Sequence, residues 1–90
     1  MSHRYDIRIK VVSQKGFCAR GHVVGDEFML SQTTPEGLCP SAFNSLFPFA
    51  QTLRFGGSFP WEKNPDLTEI ACPDAKNPVT FELYRLPAID

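Results

Sequence analysis

Three cysteines and one histidine are the residues of this chain best suited to chemistry. Cys18 and His22 are separated by three residues, and Cys39 and Cys72 follow at larger intervals. Thiolate and imidazole are ligands of zinc and iron, and these four residues would complete a tetrahedral set. Their spacing differs from that of paired C-x2-C knuckles, so they form a site only if the fold brings them together. We predict a zinc or iron site at Cys18, His22, Cys39 and Cys72, with a structural or regulatory role.

A reactive thiol is the second interpretation of the same residues. Cys39 precedes Pro40 at the predicted start of a helix, where unpaired N–H groups and the helix dipole favour a thiolate. A nearby imidazolium at His22 would favour the thiolate further. Cys39 is therefore the candidate catalytic residue of a thiol-dependent redox enzyme. The third interpretation is that the cysteines are ordinary small packing residues.

Aromatic residues after the predicted helix indicate a different class of function. Phe55, Phe59 and Trp61 are close in sequence, and exposed aromatics of this kind form protein interfaces. A non-enzymatic interaction module, or a homo-oligomer, is the alternative function. Arg54 lies beside these rings, and Arg54 and Trp61 are candidates for binding a small-molecule ligand or cofactor whose identity the sequence leaves unknown.

Length and composition set limits on the protein. The chain has 90 residues, of which 42% are hydrophobic, and this predicts a single α+β domain over residues 1–90. It has neither a long apolar run nor an apolar signal region at the N-terminus, so we expect a cytoplasmic protein with no membrane contact. Three is an odd number of cysteines, and in a reducing compartment free thiols or metal ligation are favoured over a disulfide framework.

The charge pattern argues against nucleic-acid binding. The net charge is −1, although five basic residues occur among the first twenty. Nucleic-acid binders cluster basic residues with stacking aromatics on one surface. Arg8 and Lys10 instead lie on the polar face of a predicted strand, where they can pair across a sheet with Glu69 or Glu82.

Hydrophobic periodicity predicts the order of the elements. Alternating apolar residues from Tyr5 to Val11 indicate a strand with one buried face. We predict a loop over residues 13–21 and a second strand over residues 22–30, paired with the first, with Val24, Phe28 and Leu30 on one face. Two further strands are predicted over residues 67–72 and 79–86. The pattern is ββαββ, a four-stranded, mainly antiparallel sheet with one helix packed on one face.

The helix is predicted from Pro40 to Arg54, because proline is tolerated in a first helical turn and Gly56 and Gly57 follow as a C-terminal stop. Spacing at 100° per residue predicts an apolar face formed by Phe43, Leu46, Phe47, Phe49, Ala50 and Leu53. Pro48 lies on the polar side and either kinks the helix or divides it into two short helices.

Four sequence blocks together resemble a family of small prokaryotic proteins of about this length. The blocks are VVSQKGFCARGHVVGDEF, TPEGLCPSAF, LRFGGSFPW and ACPDAKNPVTFEL, and the resemblance extends from Ile7 to Leu86. It includes the positions of Cys18, His22, Cys39 and Cys72. The resemblance implies a self-contained domain, but it supplies no reaction, substrate or cofactor.

Overall fold

The fold is a single antiparallel sheet covered on one face by a helix. The computed structural model describes residues 5–87. They form strands β1 (Ile7–Gln14) and β2 (Glu27–Leu30), helix α1 (Pro40–Arg54), and strands β3 (Leu67–Ala71) and β4 (Val79–Arg85). The strand order across the sheet is β2-β1-β4-β3, and all three strand pairs are antiparallel. The predicted ββαββ pattern of an α+β fold is confirmed.

The two central strands supply the inner face of the sheet. Ile9 lies opposite Leu83 and Val11 lies opposite Phe81, and all four side chains are fully buried. Period-two alternation places their neighbours on the outer face. There Arg8 forms an ion pair with Glu82 at 3.4 Å, which confirms the predicted pairing across the sheet.

Helix α1 has the predicted bounds, but its buried face differs in part from the prediction. Ala42, Leu46, Ala50 and Leu53 are buried against the sheet, whereas Phe47 is 40% exposed. The small alanine side chains let the helix approach the strands closely, and the bulky phenylalanines lie at its flanks. Pro48 is on the exposed side of one continuous helix, so the alternative of two short helices was wrong.

A Schellman motif ends the helix, as the two glycines predicted. Gly56 has a φ of +89°, and its N–H donates to the Leu53 carbonyl, while the Gly57 N–H donates to the Thr52 carbonyl at 2.8 Å. A Cβ at Gly57 would lie 2.7 Å from Thr52 Cγ2, so this position requires glycine for close approach.

Arg85, at the end of β4, joins the helix to the following loop. Its guanidinium donates to the carbonyls of Leu53, Gly57 and Pro65 and twice to Asp66 Oδ1. It also lies over the Tyr5 ring, 5.0 Å from the centroid. The side chain is only 10% exposed. A nearly buried cation with five hydrogen bonds fixes the end of α1 against the sheet edge.

The second strand is shorter than predicted, because β2 begins only at Glu27. Residues 22–26 form a turn in which the Asp26 N–H donates to the Val23 carbonyl and Gly25 has a φ of +100°. Val24 is 61% exposed, so its predicted place on an inward face with Phe28 and Leu30 was wrong. His22 consequently lies in a loop.

No helix within residues 5–87 is long and apolar enough to cross a membrane.

Candidate functional site

The three cysteines line one open cavity of about 430 Å³, which we call the thiol pocket. Three chain segments build it. The loop after β1 contributes residues 18–20, the start of α1 contributes Cys39, Ser41 and Ala42, and the β3–β4 connection contributes residues 72–74 with Asn77 and Val79. All three cysteines are free thiols, partly exposed and packed against the edge of the core. The structure therefore brings together three of the four residues predicted from the sequence.

The turn between β3 and β4 positions the loop that carries Cys18. Asp74 Oδ1 accepts hydrogen bonds from the backbone N–H groups of Lys76 and Asn77. Asn77 Oδ1 in turn accepts the Phe17 N–H at 2.9 Å. Gly16 has a φ of +71° and passes so close to Asn77 that a Cβ there would collide with the amide. Residues about sixty positions apart in the chain are thereby fixed beside each other.

His22 positions Cys39 through a hydrogen bond to its backbone. The imidazole is buried, with the Phe28 and Phe81 rings edge-on to it at 5.2 and 6.1 Å. Its Nε2 accepts the backbone N–H of Cys39 at 3.1 Å. The Nε2 lone pair that accepts this bond is not available to a metal. His22 is therefore a buried anchor of the helix start and does not line the thiol pocket.

The predicted four-residue metal centre is not assembled. Within residues 5–87, no group of three or more His, Cys, Asp or Glu side chains is placed to hold a metal ion. The hydrogen bond from the Cys39 N–H occupies His22 Nε2 and contributes to this arrangement. The Cys72 sulfur accepts the Val79 N–H at 3.3 Å.

Cys39 has the most distinctive electrostatic environment of the three thiols. It is the N-cap residue of α1, close to the Ser41 and Ala42 backbone amides, and Arg20 lines the same cavity. Partial burial raises the pKa of the Cys39 thiol, but the Ala42 and Ser41 amides and the Arg20 guanidinium lower it by more, so its pKa lies below the ordinary value. The sulfur makes no regular capping hydrogen bond, so the amides act mainly as nearby dipoles. This environment favours a thiolate.

Two pocket residues were not identified from the sequence. Arg20 lies between Cys18 and His22 and looked like a loop residue, and Asp74 belongs to a segment recognised only as a turn. The Asn77 N–H groups, followed by the Lys76 N–H, lower the pKa of Asp74, which is therefore ionised at neutral pH. The sequence feature that could have indicated Arg20 is its place as a basic residue between Cys18 and His22.

The candidate ligand-binding residues lie elsewhere. Neither Arg54 nor Trp61 lines the thiol pocket. Arg54 donates to Gln51 Oε1 and lies over the Phe55 ring, whereas the Trp61 indole donates to Thr68 Oγ1 and stacks on Phe59. Phe59 is buried, so only Phe55 and Trp61 of the predicted aromatic group are exposed.

Comparisons with family models, curated proteins and solved structures gave no significant match to this chain. The family resemblance therefore stays a prediction, and the geometry of the thiol pocket is the basis on which a function is inferred.

Proposed function

We propose that the protein is a regulatory thiol module in which Cys39 undergoes reversible thiol–disulfide exchange. The observation that carries this proposal is the position of Cys39, which lies at a helix N-terminus, beside Arg20, in an open cavity that two further cysteines line. Reactive cysteines occur in electropositive, partly exposed surroundings of this kind.

The proposed reaction is an exchange between one thiolate and one disulfide. The Cys39 thiolate attacks one sulfur of a small disulfide R–S–S–R, a new bond forms between Cys39 and that sulfur, and the other half leaves as R–S⁻. The disulfide is the oxidant, so no further cofactor is needed. Attack by an external thiolate on the mixed disulfide reverses the step and restores Cys39, which makes the change suitable for regulation.

The test is the alkylation rate of each cysteine. Iodoacetamide at neutral pH, followed by peptide mass spectrometry, measures the three rates separately in the folded protein. We expect Cys39 to react well ahead of Cys18 and Cys72, and Cys39→Ser to remove the fast phase. Cys18→Ser and Cys72→Ser are the matched controls and should retain it. Uniformly slow alkylation of all three thiols would overturn the proposal.

A second candidate function is protein interaction through the exposed indole of Trp61. The ring is 61% exposed, yet its N–H is bonded to Thr68 Oγ1, which donates in turn to Glu62 Oε2 at 2.7 Å. A large exposed ring held in one orientation has little conformational entropy to lose on binding. Sedimentation over a concentration series tests self-association, with Trp61→Ala as the variant. A species that stays monomeric at high concentration would argue against a homo-oligomer.

A further inference from the structure

The thiol pocket has one cationic and one anionic side chain beside its three thiols. Arg20 lies in the loop after β1 and Asp74 in the β3–β4 connection, so separate segments of the wall carry the two charges. No other lining residue is a lysine, arginine, aspartate or glutamate. A ligand that fills this cavity therefore meets both signs of charge.

Within the described residues, neither Arg20 nor Asp74 forms an ion pair between a basic side chain and a carboxylate. The Arg20 guanidinium lowers the pKa of the Cys39 thiol, and both residues line the same cavity. The Asp74 carboxylate accepts hydrogen bonds from backbone N–H groups of Lys76 and Asn77 and from the Asn77 side-chain amide. All of these donors are neutral, so the negative charge of Asp74 is left available to a ligand.

The rest of the wall limits the size and polarity of the ligand. Ala19, Ala42, Pro73 and Val79 are small apolar residues of the same cavity. A volume of about 430 Å³ lies within the usual range of small-molecule sites, roughly 300–1,000 Å³. The ligand that matches these features is short, has an apolar body, and carries both a carboxylate and an ammonium group.

We propose that the disulfide exchanged at Cys39 is an amino-acid or small peptide disulfide, bound with its carboxylate at Arg20 and its ammonium at Asp74. This inference rests on the proposed function. In the exchange, the bound half forms the new sulfur–sulfur bond with Cys39, and the departing half leaves as a thiolate that takes a proton from water. The binding contacts select the disulfide by charge. As in the proposed exchange, the disulfide is the oxidant and no further redox partner is needed.

The experiment compares four small disulfides that differ mainly in charge. Cystine is zwitterionic at each half, cystamine is cationic, dithiodiglycolate is anionic and bis(2-hydroxyethyl) disulfide is neutral. Mixed-disulfide formation at Cys39 is followed by intact mass at pH 7 in a Cys18→Ser/Cys72→Ser background. Each rate is divided by the rate of the same disulfide with a small reference thiol. We expect cystine to be favoured over the neutral disulfide by roughly two- to fivefold for each exposed charge contact.

Charge-removing variants identify which residue makes each contact. Arg20→Gln should lower the cystine and dithiodiglycolate rates relative to the neutral disulfide, and Asp74→Asn should lower the cystine and cystamine rates relative to it. Asparagine keeps the side-chain oxygen that accepts the turn amides. Glu36→Gln removes an exposed carboxylate outside the pocket and is the matched control. Added salt should also reduce the cystine preference in the unaltered protein, a measurement that needs no variant.

Failure of the charge-selection inference can be distinguished from failure of the proposed thiol function. If the neutral disulfide reacts quickly with Cys39 but cystine has no normalised advantage, the charge-selection inference is overturned and the thiol function stands. Preference for dithiodiglycolate with no effect of Asp74→Asn would also overturn it, in favour of an anion pocket. If no disulfide forms an adduct with Cys39 although the protein is folded, both proposals fail.

Discussion

Replacing Arg85 with methionine should destabilise the fold by about 3 kcal/mol. The side chain is 10% exposed and makes five hydrogen bonds, three of them to backbone carbonyls and two to Asp66. Asp66 is 46% exposed and regains water, so loss of that ion pair costs about 1 kcal/mol or less. The part-buried carbonyls of Leu53 and Gly57 lose a charged donor, at roughly 1–3 kcal/mol each, and Leu53 retains the Gly56 N–H as a partner.

Urea denaturation followed by circular dichroism measures this change as a difference in the free energy of unfolding. A domain of this length has a total of only about 5–13 kcal/mol, so the midpoint should fall strongly. Arg54→Met is the matched control. It removes another arginine at the same helix end, whose guanidinium donates to Gln51 Oε1, and it should cost less than about 1 kcal/mol. Equal losses for the two variants would refute the claim that Arg85 joins α1 to the loop.

Four further predictions concern the pocket and the sheet. The Cys39 alkylation rate should rise with pH with a midpoint below that of an ordinary thiol, and Arg20→Gln should move it upward while Lys15→Gln does not. Because the pKa of the Cys39 thiol is lower in the folded state, its thiolate should stabilise the fold above the ordinary thiol pKa. This contribution should disappear as the pH falls through the folded-state pKa. A free energy of unfolding that does not change over this pH range would argue against the lowered pKa. Gly16→Ala should lower the free energy of unfolding more than Gly21→Ala does, by about 1 kcal/mol or more. Both glycines have a positive φ, but only a Cβ at Gly16 would collide with Asn77. Equal losses for the two variants in denaturation would disprove the role of the Gly16–Asn77 contact in holding the Cys18 loop. Glu69→Lys should raise the free energy of unfolding by roughly 0.2–1 kcal/mol, because Glu69 lies directly opposite Glu82; a lower thermal midpoint would contradict this.

The helix and the central strands could be predicted because their signals are local. Pro40 and Gly56 mark the ends of α1, and the alternation around Ile7 and Ile9 marks β1. The start of β2 was predicted too early, since apolar residues such as Val24 fit a strand pattern even where a glycine turn exposes them. Local periodicity cannot separate these two cases.

Only the reactive side chains of the candidate site could be predicted from the sequence. Cys39 was recognised because its position at a helix start follows from the sequence. The sequence could not reveal that His22 accepts a hydrogen bond from the Cys39 amide, because this contact joins residues seventeen positions apart. The same holds for Arg20 and Asp74, which reach one cavity only after β3 and β4 have paired beside β1. Chemical type is visible in a sequence, whereas convergence is a property of tertiary packing.

The central place of β4 in the sheet has a consequence for the order of folding. β4 follows the other three strands in the chain, yet it lies between β1 and β3, and its preceding turn holds the Phe17 loop through Asn77. Until β4 pairs with both neighbours, the two halves of the sheet are not joined and the turn that braces the Cys18 loop is not held in place. We therefore expect the lowered pKa of the Cys39 thiol to arise only late in folding, once β4 has paired.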